Sequence, residues 1–317
     1  MNDAGIGALA LAFCLLAAAM AQGAGEKARG GKPKPTFENI SYGPHERNVL
    51  DFWQAASDKP APLVIFIHGG GFHAGDKAAV PASLIGKCLE NGVSVASINY
   101  RLSHQAPYPA PMLDGARAVQ FLRSKAEEWN IDAARIACCG GSAGAGISLW
   151  VGFHDDMAQP ESDEPIARQS TRITAAGTVD GQCSYDPRWI KEHIGGSGEL
   201  HEALFAFYGI AREEADSPRA HELYERAAAI NYLSPGDPPV YMFYTHRTTK
   251  VPLPPDADPN IVIHHPQFGF ELKKKMDELG IECVVRVRED FDCPDEEVRD
   301  RGFGEMAEFF FRHFGLR

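Results

Sequence analysis

Arg135-Ile136-Ala137-Cys138-Cys139-Gly140-Gly141-Ser142-Ala143-Gly144-Ala145-Gly146 is the stretch that decides the fold. A short apolar run ends in small residues and an amphipathic segment, Ile147 to Phe153, follows at once, which predicts a strand, a tight turn and a helix. At its centre Gly140-Gly141-Ser142-Ala143-Gly144 fits G-x-S-x-G, the turn that raises a serine between strand and helix. So sharp a backbone is strained and its neighbours must lack bulk, as they do here. A hydroxyl at a helix N-terminus also lies where amide N–H groups can stabilise a developing oxyanion. Alone, however, the pentapeptide reads equally well as a glycine-rich turn.

A second motif lies upstream. Leu63-Val64-Ile65-Phe66-Ile67 reads as a fully buried strand and runs into His68-Gly69-Gly70-Gly71-Phe72. Three successive glycines after a core strand leave amide N–H groups uncovered, as an oxyanion hole requires. Each motif follows a strand, so the pair points to acyl transfer at a serine.

On these residues the chain resembles the HGGG-type esterases of the α/β-hydrolase superfamily, close to the hormone-sensitive-lipase and feruloyl or acetyl-xylan esterase groups. The resemblance runs from about Tyr42 to Phe314. It implies the α/β-hydrolase fold, with Ser142 as nucleophile and Gly70, Gly71 and Ala143 as oxyanion-hole donors. It also implies that His68 braces its loop and is not the base.

The rest of the chain keeps a strand–helix rhythm. Glu38 to Tyr42 and Asn48 to Trp53 read as an edge hairpin, and Val93 to Tyr100, Ile173 to Val179, Val240 to Tyr244 and Glu282 to Arg286 as further strands. Helical spacing recurs between them, which predicts a mostly parallel sheet with helices on both faces and its ligand site at the carboxyl ends of the strands. Helical segments within about 184–234 read as an insertion, which the resemblance implies to be a small cap that would select the acyl or alcohol group. Asp180-Gly181-Gln182-Cys183 follows a strand at the active-site end and either lines the pocket or forms a plain loop.

Of the 317 residues 44% are hydrophobic and 23% charged, ordinary globular material. The net charge of -12 argues against nucleic acid and against an anionic membrane surface. Residues 1–21 hold an apolar run and an Ala-Met-Ala ending, the pattern of a secretory signal, although no positive residue precedes the run. The run is short for a bilayer span. A Gly-, Lys- and Pro-rich lead-in over 22–36 then precedes a hydrolase domain at 37–317, secreted or periplasmic, with no stable membrane span once the signal is cleaved. Of the seven cysteines none has paired C-x-x-C spacing, so a zinc site is not expected. No cofactor is expected either: Gly144-Ala145-Gly146 lacks the third glycine of a dinucleotide fingerprint, and no P-loop lysine follows.

The acid and the base are harder to find. The implied aspartate position, before Val251-Pro252, holds Thr248, and the implied histidine loop after the last strand contains no histidine between His265 and His313. The best substitute is His265 as base with Asp258 as acid, because His264-His265-Pro266 opens a helix whose dipole favours a neutral imidazole. Four alternatives stand beside it: either histidine merely caps that helix, His246 serves instead, a serine esterase works with part of its relay missing through oxyanion hole and binding alone, or the fold binds a ligand and has lost catalysis. The expected function is hydrolysis of a carboxylic ester, on a small-molecule or carbohydrate substrate such as acetyl or feruloyl groups of a polysaccharide.

Overall fold

The computed structural model describes residues 31–316, and the expected signal segment lies outside them. Eight strands form one sheet: β1 (Phe37–Ser41), β2 (Val49–Trp53), β3 (Ala61–Ile67), β4 (Ser94–Ile98), β5 (Ile131–Gly141), β6 (Ala175–Val179), β7 (Val240–Phe243) and β8 (Cys283–Arg286). Their order is β1-β2-β4-β3-β5-β6-β7-β8. Only the hairpin strands run against their neighbours, β2 pairing antiparallel with both β1 and β4. All other pairs are parallel. This is the α/β-hydrolase architecture.

The helices are α1 (Ala82–Glu90), α2 (Ala110–Ser124), α3 (Ala143–Phe153), α4 (Pro187–His193), α5 (Glu202–Tyr208), α6 (Pro218–Ala227), α7 (Pro259–Ile263), α8 (Gln267–Glu278) and α9 (Val298–His313). The central strands are apolar on both sides, because each face is covered. On one face α2, α3 and α8 share a core with Leu63, Ile65 and Ile67, and on the other α1 and α9 pack on Val64 and Phe66. Cys138 and Cys139 fall into opposite cores, as a strand's period of two requires. Every residue of α3 is buried, and each large apolar side chain so placed contributes roughly 1.5–3 kcal/mol. The elbow helix is thereby locked against the sheet.

Two connections carry local structure of their own. Helix α2 stops at Ser124, and beyond it Trp129 packs its ring 4.9 Å from Phe52, anchoring the turn that enters β5. Between β7 and β8 lies α7, a single turn started by Pro259 and capped by Asp258.

Register aligns the ends of four strands. Ile67 pairs with Gly140, Gly141 with Val179, and Val179 with Phe243. The chain segments that follow therefore emerge at one rim: His68-Gly69, Ser142, Asp180 and Tyr244-Thr245-His246. Helices α4, α5 and α6 form an insertion between β6 and β7. It is stitched to the β7–β8 connection where Leu253 N–H donates to Ile194 O (2.7 Å) and Gly196 N–H to Leu253 O (3.1 Å).

Candidate active site

Ser142 has φ 48° and ψ −115°, a left-handed conformation that L side chains rarely adopt. The surrounding backbone enforces it. The Ser142 N–H donates to Val179 O (3.0 Å), and Gly146 N–H returns to Ser142 O (3.1 Å). A methyl on Gly144 would lie 2.1 Å from Ile67 O, and one on Gly140 2.4 Å from the same atom, so only glycine lets the elbow sit this close to β3. Strain of this kind persists where the surroundings overdetermine it, and it clusters at functional sites. Ser142 is partly exposed, so its hydroxyl is reachable.

The glycine loop lies against it. A Cβ on Gly69 would be 3.6 Å from Ser142 Cβ. Among the described residues the amides of Gly70 and Gly71 donate to nothing, and Ala143 opens α3, where a helix leaves its first N–H groups unpaired. His68 braces this loop: one ring nitrogen, Nδ1, lies 2.7 Å from Gly69 O and the other, Nε2, 3.1 Å from Arg47 Nη2. Burial pushes its pKa down to about 4, so the ring is neutral, with Nδ1–H donating and Nε2 accepting.

The imidazole at the serine is that of His264, with Nε2 3.0 Å from Ser142 Oγ. His264 follows α7 directly, and its Nδ1–H donates to Asn260 O at 2.9 Å, one turn back. The His264 backbone N–H bonds Val262 O, which leaves the Asn260 carbonyl to the side chain. This fixes the tautomer with Nε2 bare toward the hydroxyl. Burial lowers the His264 pKa, while the charge of Asp180 pulls it back up.

His265, the expected base, is turned away. It is 1% exposed, its Nε2–H donates to Thr249 Oγ1 (2.9 Å) and its Nδ1 accepts from Gln267 N–H (3.0 Å). It satisfies the first turn of α8, and both ring nitrogens are used. Asp258, the expected acid, is exposed and accepts from Asn260 N–H (2.8 Å) as the N-cap of α7. The structure brings His264 rather than His265 to Ser142, because the α7 turn, which the dipole argument on α8 did not weigh, precedes the pair.

The carboxylate at this rim is Asp180, for which sequence reasoning left open a place lining the pocket or a plain loop. It follows β6 with φ 50°. Its oxygens accept from Thr245 N–H (2.8 Å) and Thr245 Oγ1 (2.9 Å), and His246 Nδ1 lies 3.4 Å away. Burial would raise its pKa, but the hydrogen bonds from His246 and Thr245 outweigh that and hold it below the usual carboxylate range. The same contact raises the pKa of His246, whose ring stacks on that of His264 at 5.9 Å and 8°. The signal that could have found Asp180 was its place directly after an apolar strand at the ligand end. Among the described residues no cluster of side chains suits a metal ion, and no helix is long and apolar enough to cross a membrane.

A sequence model of the BD-FAE family matches residues 50–255. The chain is similar to Esterase LipQ of Mycobacterium tuberculosis, 27% identical over 223 residues that cover 68% of this chain and 49% of LipQ. Esterase LipC of the same organism is 24% identical, with 68% and 51% covered, so the chain spans about half the length of the curated relatives it matches. Among solved structures, a carbohydrate esterase from gut microbiota superposes with TM-score 0.66 at 21% identity, over 90% of this chain and 99% of the other. A bacterial heroin esterase gives 0.66 at 20% identity, over 97% and 90%.

Proposed function

Because the chain belongs to the BD-FAE family of α/β-hydrolases, we propose that it hydrolyses carboxylic esters by covalent catalysis at Ser142, with His264 as general base. The observation that carries this is the 3.0 Å contact between Ser142 Oγ and His264 Nε2 at an accessible rim, beside unpaired glycine amides. In acylation Oγ bonds the ester carbonyl carbon while its proton passes to Nε2. The amides of Gly70, Gly71 and Ala143 receive the negative oxygen. Collapse expels the alcohol, which takes the proton from His264, and a water activated by the same imidazole then releases the acid. Asn260 O and the ionised Asp180 favour the transient imidazolium, with no direct Asp180–His264 hydrogen bond required. This reading replaces His265 and Asp258 in the proton relay. It also removes the motive for a non-catalytic binding protein, which was a missing histidine.

The substrate we propose is an acetyl or feruloyl ester carried on a polysaccharide. Support comes from similar structures, the gut carbohydrate esterase and an acetyl ester-xyloside bifunctional hydrolase from Caldicellulosiruptor lactoaceticus. The secretory pattern of residues 1–21 fits such a substrate and supports a secreted or periplasmic location.

Hydrolysis of p-nitrophenyl acetate and of acetylated xylan by the purified protein, together with fluorophosphonate labelling, tests the reading. Wild type is expected to label and turn over, and Ser142→Ala to do neither. Turnover that survives in Ser142→Ala would refute the assignment. Activity on the nitrophenyl ester with none on the glycan would remove only the polysaccharide.

A further inference from the structure

Gln182 is 1% exposed and lies two residues beyond Asp180. Both protons of its amide are used: Nε2 donates to Asp180 O at 2.9 Å and to Ile263 O at 2.6 Å. Ile263 O is the last carbonyl before His264. Its own Oε1, by contrast, is buried with no partner. A buried amide retained with one end unsatisfied points to a demand on the other end, since unpaired polar atoms are costly to hide.

The loop that carries Gln182 is itself fixed to the sheet. Asp180 N–H donates to Phe243 O (2.9 Å), and Tyr244 hydroxyl donates to Gly181 O (2.8 Å). A Cβ on Gly181 would meet Thr178 Cβ at 2.7 Å and Ala145 Cβ at 2.9 Å, so this turn is pressed onto β6 and the elbow helix. The histidine segment has less of its own support, being one turn of helix in a long β7–β8 connection. Gln182 joins the firm part to the less firm part at the peptide next to the imidazole.

We infer that Gln182 is a positioning residue for catalysis, whose amide ties the carbonyl preceding His264 to the Asp180 loop and so sets the imidazole on the Ser142 hydroxyl. The inference rests on the reading of His264 as the base. Only this side chain meets the geometry. Glutamate presents oxygens to two carbonyls, methionine leaves both carbonyls unpaired, and asparagine is one methylene short of spanning them. Misplacement of a reacting group by about 1 Å can cost on the order of 100-fold in rate.

The test is a double-mutant cycle on the full chain with p-nitrophenyl acetate, comparing wild type, Gln182→Met, His264→Ala and the double variant, with thermal midpoints measured alongside. Gln182→Met is expected to lose 10- to 100-fold in kcat with KM within twofold of wild type. In the His264→Ala background the same change is expected to cost nothing further. A merely structural role predicts an equal loss in both backgrounds, and that result, or an unchanged kcat in Gln182→Met, overturns the inference. Wild-type turnover in His264→Ala overturns the base assignment and this inference together, which distinguishes the two failures. Should Gln182→Met not fold, the nearly isosteric Gln182→Glu replaces it in the same cycle, with the same outcomes read the same way.

Discussion

His264 Nε2 reaches Ser142 Oγ at 3.0 Å across 122 positions of sequence, from the connection between β7 and β8. The resemblance to known esterases implied a histidine in the loop just after β8, where this chain has none. The register of the parallel strands makes the substitution possible: β5, β6 and β7 end level, so a short helix in the β7–β8 connection can overhang the elbow.

His264→Ala is expected to reduce kcat by on the order of 10⁴–10⁶, the cost of losing one member of a serine relay. His265→Ala should leave kcat within a few-fold of wild type and lower stability by about 1–3 kcal/mol, because the Gln267 amide and the Thr249 hydroxyl lose their buried partner. Initial rates and urea unfolding of the two variants separate the outcomes. The reverse ranking of rates would place the base on the wrong residue.

Activity should fall in acid as His264 gains a proton. Burial sets its pKa below the ordinary 6.5, so the acid limb of kcat/KM is expected to have its midpoint below that value. Asp180→Asn removes a charge that raises the His264 pKa, and the limb should move to still lower pH while the plateau drops. A limb that moves upward in the variant would contradict the electrostatic role given to Asp180.

Ser142→Gly should abolish turnover and yet raise stability by about 1 kcal/mol. Relief of the φ 48° conformation is worth roughly 1–3 kcal/mol and is partly offset by the greater freedom of glycine in the unfolded chain. Denaturant midpoints of wild type and variant decide it. A loss of stability would mean that the elbow is held without strain.

His68 is neutral in the fold with a pKa of about 4 against an ordinary value of 6.5. The unfolded chain therefore binds the proton first, and stability present above pH 6.5 is lost as pH falls toward 4. By pH 4.5 the loss from this one ring is roughly 2.5 kcal/mol. In His68→Gln the drop in unfolding free energy between pH 7.5 and 4.5 should shrink by about that amount. His154, which burial also lowers to about 4, retains part of the remaining slope.

Much of the fold could be read from local chemistry. Apolar runs in Leu63 to Ile67 and Val240 to Tyr244 are long enough to mark buried strands, and glycine punctuation located the two turns at the site. Ser142 and the loop beside it were legible because their backbone demands small residues. The contacts of His264 and Asp180 were not, for two physical reasons. Five residues of α7 give too little periodicity to detect, so the imidazole was assigned to the longer helix next to it. Asp180 acquires its surroundings from Thr245 and His246, which approach only when β7 pairs with β6.

The stitch between Leu253 and the Ile194–Gly196 strip ties the inserted helices to the strap that bears His264. The inserted helices and the imidazole beside Ser142 thus share one mechanical footing. Transplanting a foreign lid between β6 and β7 would disturb the imidazole as well as the entrance, so any graft must preserve that short backbone seam.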